Sequence, residues 1–408
     1  MSGFVGKKQV MNLYKMVMIK RITILWAILP CVLYSQAQGI DDVLKSIEKN
    51  NIELQAAQKD IASEVEEIKQ SNTIEGLSVE YSPFMRSGIP GVSSSELIVS
   101  QEFDFPTLYG ARRLLAKKQH RVLNLEYQTK RRDLLLEAKI KCLDWIQLNQ
   151  LKNVLADRLE KAQRLLELYQ KRFEHGEATI LELNKLKMEQ MSLHVDIAKN
   201  AAARQRVYQE LLILNGNQPL LLEHLAYPLV MTKFNADSLR THLLQTDAEV
   251  LAAKGYREAA QQQLNVNKNS WLPRLTIGYR RNTEGDFISN GVQIGFALPL
   301  YTNQHKKKAA QAALEGALLR KANVQMKVTN EWRARQNELE QLRTSLSTYD
   351  LSFLRQSLQT LRKIVEIGEM SLLDYYTEVD KIYEKWQDYI NIEHQFQLVY
   401  AELTKNSL

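Results

Sequence analysis

The stretch YQKRFEHGEATILE, Tyr169 to Glu182, returns 192 residues later as LRKIVEIGEMSLLD, Leu361 to Asp374. Gly176 and Gly368 occupy equivalent positions. On either side of each glycine run long segments with apolar residues at helical spacing, so each glycine reads as the tip of a helical hairpin. The rest of the chain is organised around two such hairpins.

Working outward, the helical pattern before the first tip runs from Ala111 to Phe173, about 95 Å of helix, with no Pro between Thr107 and Gln218. Leu148, Leu151, Leu155, Ala162, Leu165 and Tyr169 fall at seven-residue a/d positions, interrupted by Arg158. The return helix offers Leu181, Asn184, Met188, Met191, Val195, Ala198 and Ala202, and the two stripes together predict an antiparallel coiled coil with the methionines as seam fillers. After the second tip, Leu372, Tyr376, Val379, Tyr383, Trp386 and Ile390 form one seam. The helix leading to that tip is expected from about His305 to Glu366.

Upstream of the first long helix, a helix of about 30 residues is expected from Asp41 to Ser71. The period then changes to alternation at Leu77, Val79 and Tyr81, and again at Leu97, Val99, Gln101, Phe103 and Phe105, which reads as a strand, a loop and a strand. The plan repeats. Asn50 to Ala57 is echoed by Thr246 to Ala253, Leu77 to Tyr81 by Leu275 to Tyr279, and Phe103 to Pro106 by Phe296 to Pro299, at nearly constant offset. With the tips, four anchors in one order mark an internal duplication. The expected division is 1–37 as a signal peptide, 38–216 as a first repeat with strands in 76–105, 217–236 as a linker, and 237–408 as a second repeat with strands in 273–299.

Lys20 and Arg21 precede an apolar run, Ile22 to Tyr34, and Ser35-Gln36-Ala37 offers a small-residue cleavage site. Thirteen apolar residues fall short of the roughly 20 that span a bilayer, and residues before Met16 or Met18 read as an extension from an upstream start codon. The formal charge is +7, but Lys7, Lys8, Lys15, Lys20 and Arg21 carry most of that excess. The near-neutral remainder argues against a nucleic-acid partner. Cys31 falls in the presequence, which leaves Cys142 without an intramolecular partner. Lipid attachment at Cys31 is disfavoured by the residues before it, Ile28-Leu29-Pro30.

The strands alternate apolar with small or polar residues and carry aromatics near their ends: Tyr81, Phe84, Phe103, Phe105, Tyr109, Tyr279, Phe296 and Tyr301. Membrane barrels have this pattern, and so do soluble sheets. The export signal favours the first. Four strands cannot close a barrel, and an unclosed sheet is not tolerated in lipid, so several chains must share one. Two chains give eight strands and three give twelve.

Taken with its duplication, the chain from about Asp41 to Leu408 resembles the TolC family of outer-membrane efflux proteins. The resemblance rests on the junctions PTLYGARR (Pro106 to Arg113) and PLYTNQHKKK (Pro299 to Lys308), and on the tips RFEHGEATILEL and EIGEMSLLDYY. It implies a mainly α protein whose long hairpins form an α-barrel and whose four strands contribute to a shared β-barrel in a homotrimer. It also implies an exit channel of a Gram-negative outer membrane with a large periplasmic portion, in contact with outer-membrane lipid. Its partners would be a periplasmic adaptor (membrane fusion) protein and an inner-membrane transporter. Glu182 and Asp374, each six residues past its glycine, match the family's aperture carboxylates, whereas Thr377 departs from the pattern and Glu378 is adjacent. Thr179 and Ser371, three residues before those carboxylates, equally fit capping boxes. Arg172 resembles a basic adaptor-contact residue, and Gly176, Thr179, Arg362, Gly368 and Ser371 complete the tip set.

No phosphate loop, Cys pair or His-x-x-x-His helix appears, so no catalytic residue, cofactor or metal is expected. The rival reading is a soluble periplasmic coiled-coil adaptor or structural protein. An adaptor would need a large strand-rich portion beside a single hairpin.

Overall fold

The computed structural model describes residues 39–88, 90–229, 243–299 and 303–408. The signal-peptide reading of 1–37, the end of the linker and Tyr301 lie outside them.

The expected first helix is two, α1 (Ile40–Asn50) and α2 (Ile52–Gln70). Asn51 separates them in an extended conformation, φ −65° and ψ 120°. Its side chain accepts from Leu54 N–H at 2.9 Å and donates to the Leu214 carbonyl at 2.8 Å. The buried amide thus caps one helix while occupying a terminal carbonyl of another, an arrangement that costs less than an unpaired polar group there.

Strands β1 (Ser78–Phe84), β2 (Ser94–Phe103), β3 (Arg274–Glu284) and β4 (Phe287–Ala297) form one antiparallel sheet in chain order. Val79 lies opposite Val99, Val99 opposite Tyr279, and Tyr279 opposite Val292, so the alternating residues of all four strands line up on a single face.

The first long helix, α3 (Pro106–Glu174), is 69 residues without a break, about 104 Å. It starts on Pro106, whose fixed φ and missing N–H suit a first helical position. Through the tip it returns as α4 (Ile180–Leu214). On α3 the expected stripe is buried at Leu155, Ala162, Leu165 and Tyr169. On α4 the expected stripe points the wrong way. Leu181, Met188, Met191 and Val195 are exposed, with Leu181 at 75 %, as are Asn184, Ala198 and Ala202. The face packed on α3 carries Leu183, Leu186, Leu193 and Asn200 instead, and Asn200 donates to the Leu148 carbonyl at 3.1 Å. This helix has two apolar stripes, and periodicity alone does not say which one the chain itself covers.

The second half runs α5 (Ala248–Asn269), β3, β4, α6 (Asn303–Ser347), α7 (Leu351–Glu366) and α8 (Leu372–Leu403). The single helix expected from His305 to Glu366 is broken at Thr348 to Asp350. Thr344, Ser345, Ser347 and Thr348 turn their hydroxyls back onto carbonyls three or four residues earlier, an alternative to the helical ladder. Asp350 then caps α7, accepting from the N–H groups of Ser352 and Phe353. On α8 the expected seam is correct: Leu372, Tyr376, Val379, Tyr383 and Ile390 are buried.

Toward the sheet the helices lie side by side as α2, α3, α5, α6. Toward the tips the order is α4, α3, α8, α7. Two of the resulting apolar clusters are large. One surrounds the middle of α3, where Ile47, Leu54, Leu143 and Leu211 are almost fully enclosed; the other lies near the tips around Leu186, Val365 and Tyr383. Each such side chain contributes roughly 2 kcal/mol by leaving water. Gly216 ends α4 with φ +60°, against the Asn50 carbonyl, where an added Cβ would sit 2.5 Å from oxygen.

Candidate functional site

Both tips are closed by the same backbone device. Gly176 and Gly368 adopt φ +77° and +84°. The next amide, of Glu177 or Glu369, donates to the carbonyl of Arg172 or Ile364, five residues back. This is a Schellman closure, and a left-handed C′ position strongly favours glycine.

The return helices then start on hydroxyl caps. Thr179 Oγ1 accepts from Glu182 N–H at 3.3 Å, while Glu182 Oε2 accepts from the Thr179 N–H at 2.7 Å and from its hydroxyl at 2.8 Å. Ser371 Oγ accepts from Asp374 N–H at 3.1 Å and donates to Asp374 Oδ2 at 2.6 Å. Glu182 thus completes the reciprocal box that Thr-x-x-Glu implies, whereas Asp374 takes the Ser371 hydroxyl and not its N–H, so the second helix is capped by the serine alone. Each engages one oxygen in these bonds.

The two hairpins are joined by arginines. Arg172 Nη2 donates to the Glu366 carbonyl at 2.6 Å, across to the end of α7, and its guanidinium lies 5.2 Å from the centre of the Tyr169 ring. Arg362 pairs with the Glu366 carboxylate at 2.7 Å. The structure thus gathers Arg172, Arg362 and Gly368 around Glu366, and leaves Glu182 and Asp374 each in its own cap. Farther from the tips, Arg158 of α3 reaches Glu189 of α4 at 2.6 Å and Asp380 of α8 at 2.5 Å, 4.9 Å from the centre of the Tyr383 ring. Its sequence signal was the charge interrupting an apolar heptad. Burial holds the Tyr383 phenol well above its usual range and pushes that of Tyr375 up to about 12, so these rings act as apolar packing with neutral hydroxyls.

The other candidate surface is the sheet. Its aligned face is mainly apolar, with Gln101, Arg281 and Asn290 among the exceptions, and largely exposed: Val292 78 %, Phe296 71 %, Ile294 65 %, Val79 63 %. The opposite face carries Ser78, Glu80, Ser100, Thr276, Gly278, Gln293 and Gly295, with Arg280 paired to Glu96 across strands. At Gly278 a Cβ would lie 2.9 Å from the Val99 carbonyl and 3.0 Å from Ser100 Cβ, so the backbones crowd on the polar side. β1 and β4 are both edge strands. Among the described residues no helix is long and apolar enough to cross a membrane, and no group of three or more His, Cys, Asp or Glu is placed to hold a metal ion.

A four-stranded sheet with one lipid-compatible face, continued into long paired helical hairpins, defines the fold class. Solved structures share it. The outer membrane protein VceC of Vibrio cholerae superposes with a TM-score of 0.73 over 90 % of this chain and 95 % of its own, at 14 % identity. The CmeC outer membrane channel of Campylobacter jejuni gives 0.71 over 90 % and 85 %, at 16 % identity. A membrane protein of Pseudomonas aeruginosa gives 0.74 over 90 % and 89 %, at 16 % identity. No protein-family profile matches the sequence, and no curated protein sequence does either. At these identities the likeness is one of fold: a mainly α chain with long paired hairpins and a small β part.

Proposed function

We propose that the chain is the outer-membrane exit channel of a tripartite efflux or secretion system, working as a homotrimer. The observation that carries this reading is the sheet, mainly apolar and largely exposed on one face, polar on the other, and unpaired at both edges. Such a sheet cannot stay open in lipid, where every edge N–H and C=O lacks a partner. Closing β4 of one copy onto β1 of the next satisfies both edges, and twelve strands place the polar face around a lumen.

The helices support the same closure. α4 and α7 lie at opposite ends of the tip-side row. The exposed stripe Leu181, Met188, Met191 and Val195 on α4 faces outward from the chain, and on α7 Phe353 is exposed, with Ile367 just past its end. These faces are the surfaces a ring of copies would cover. The solved outer membrane channels that share this fold favour the same reading by analogy.

In such a ring the free carboxylate oxygens of Glu182 and Asp374 stand at the tunnel's inner end, where a ring of acids favours cations. Arg172 and the tip residues would meet a periplasmic adaptor, which joins the channel to an inner-membrane transporter. Planar-bilayer recording of the purified protein tests the channel directly. Discrete current steps are expected, with cation block altered in Asp374→Ala. A protein that fractionates as a soluble monomer and conducts nothing overturns the reading. Charge reversal at Arg172 is expected to weaken co-purification with the adaptor; normal co-purification would leave Arg172 only its tie to Glu366.

A further inference from the structure

One cavity lies away from the sheet and above the tips. It measures about 410 Å³, within the range of roughly 300–1,000 Å³ usual for small-molecule sites. It separates α7 from α3, and its floor is α8. Its position follows from the break at Thr348 to Asp350, after which α7 packs on α8. Tyr383 and Trp386 line the space from α8; Tyr383 is almost fully buried and Trp386 is half-buried.

The charges around it are not balanced. Lys161 holds Asp157 at 2.5 Å and Arg362 holds Glu366 at 2.7 Å. Arg355 is exposed and, among the described residues, has no acidic partner. Its guanidinium lies 5.7 Å from the centre of the Trp386 ring. A planar fork of N–H donors beside an indole, at the rim of a cavity with one uncompensated positive charge, suits a flat monoanion.

We propose that this cavity binds a small aromatic monoanion, an arene carboxylate or sulfonate, with its acid group on Arg355 and its ring against Trp386. A bound molecule bridges α7 to α3, two elements that the cavity otherwise separates. The site is independent of how the sheet closes.

Isothermal titration of the full-length purified protein with 2-naphthoate tests the proposal, with 2-naphthylmethylammonium as the cation of matching shape. Saturable binding of the anion alone is expected. Arg355→Gln should weaken it at least about tenfold, the loss of one charge-assisted hydrogen bond. Trp386→Leu should weaken it too. Arg320→Gln, at a separate groove between α3 and α6, should leave it unchanged. Since Arg355 is exposed and unpaired, its variant is expected to keep the wild-type far-ultraviolet circular dichroism. Absence of saturable binding, equal binding of the cation, or an Arg355→Gln variant that binds as wild type would each overturn the proposal.

Discussion

Eighteen residues before each tip glycine the two halves of the chain diverge. In the first half that position is Arg158, inside an unbroken 69-residue helix. In the second it is Asp350, the cap of a new 16-residue helix. The residues leading in are Asn153, Leu155 and Ala156 in one half and Ser345, Ser347 and Thr348 in the other. Leu155 and Ala156 leave the ladder undisturbed, whereas the hydroxyls of Ser347 and Thr348 compete for its carbonyls and an aspartate stabilises a fresh start. A duplicated plan has thus been made stiff on one side, where Arg158 ties α3 to α4 and α8, and segmented on the other.

The largest effect expected is at the stiff side. Arg158→Met removes a guanidinium shared by two acids and leaves Glu189, only 11 % exposed in its side chain, without its partner. A loss of about 3 kcal/mol is expected, seen as a lowered thermal midpoint by circular dichroism. A variant as stable as wild type would mean the clamp is ornamental and the halves differ less than the geometry indicates.

Equal costs at the tips would mark what the halves still share. Gly176→Ala places a side chain at positive φ in open space and Gly368→Ala places one in ordinary contact with Arg172 Nη2, 4.0 Å away, so backbone strain dominates both, about 1 kcal/mol apiece. Unequal losses in thermal unfolding would show that one closure is supported from outside.

A smaller effect is expected at Asp350. Hydrogen bonds from the Ser352 hydroxyl and from the Phe353 amide lower its pKa below the usual aspartate value. A carboxylate with a depressed folded pKa stabilises above its unfolded pKa, and that contribution is lost as pH falls through the folded value. Asp350→Ala should therefore be less stable than wild type at neutral pH, with the difference shrinking as pH falls below the usual aspartate range. The triple change Ser347→Leu, Thr348→Ala, Asp350→Arg, which copies the first half, should fuse α6 to α7 and slow amide exchange across 348–352. Unchanged exchange would place the cause of the break in packing and not in local sequence.

The smallest signal is a null rate. Burial pushes the Cys142 thiol up to about 12, so at pH 8 it stays protonated, and maleimide should label it only after unfolding.

Much of this was legible in the residues. The tip glycines announced their left-handed turns, the Thr-x-x-Glu and Ser-x-x-Asp pairs their caps, and the α8 seam its buried face. Asn51 was harder: an Asn inside a helical pattern discloses a break only when its partner, the distant Leu214 carbonyl, is known. The α4 seam was misread because Leu181–Ala202 and Leu183–Asn200 are both apolar stripes, and the choice between them is made by α3. The link from Arg172 to Glu366 was hidden for a similar reason, since residues 194 apart meet only once both hairpins have folded.

The most direct test of the account is whether the edge strands of separate copies meet. A cysteine at Ser82 on β1, combined in turn with single cysteines along Ser289 to Gln293 on β4, can be cross-linked in outer-membrane vesicles and run on a denaturing gel. Two-chain and three-chain products at one register are the predicted result. Single chains at every pairing, under conditions where an intrachain β2–β3 control pair cross-links fully, would contradict a barrel shared between copies.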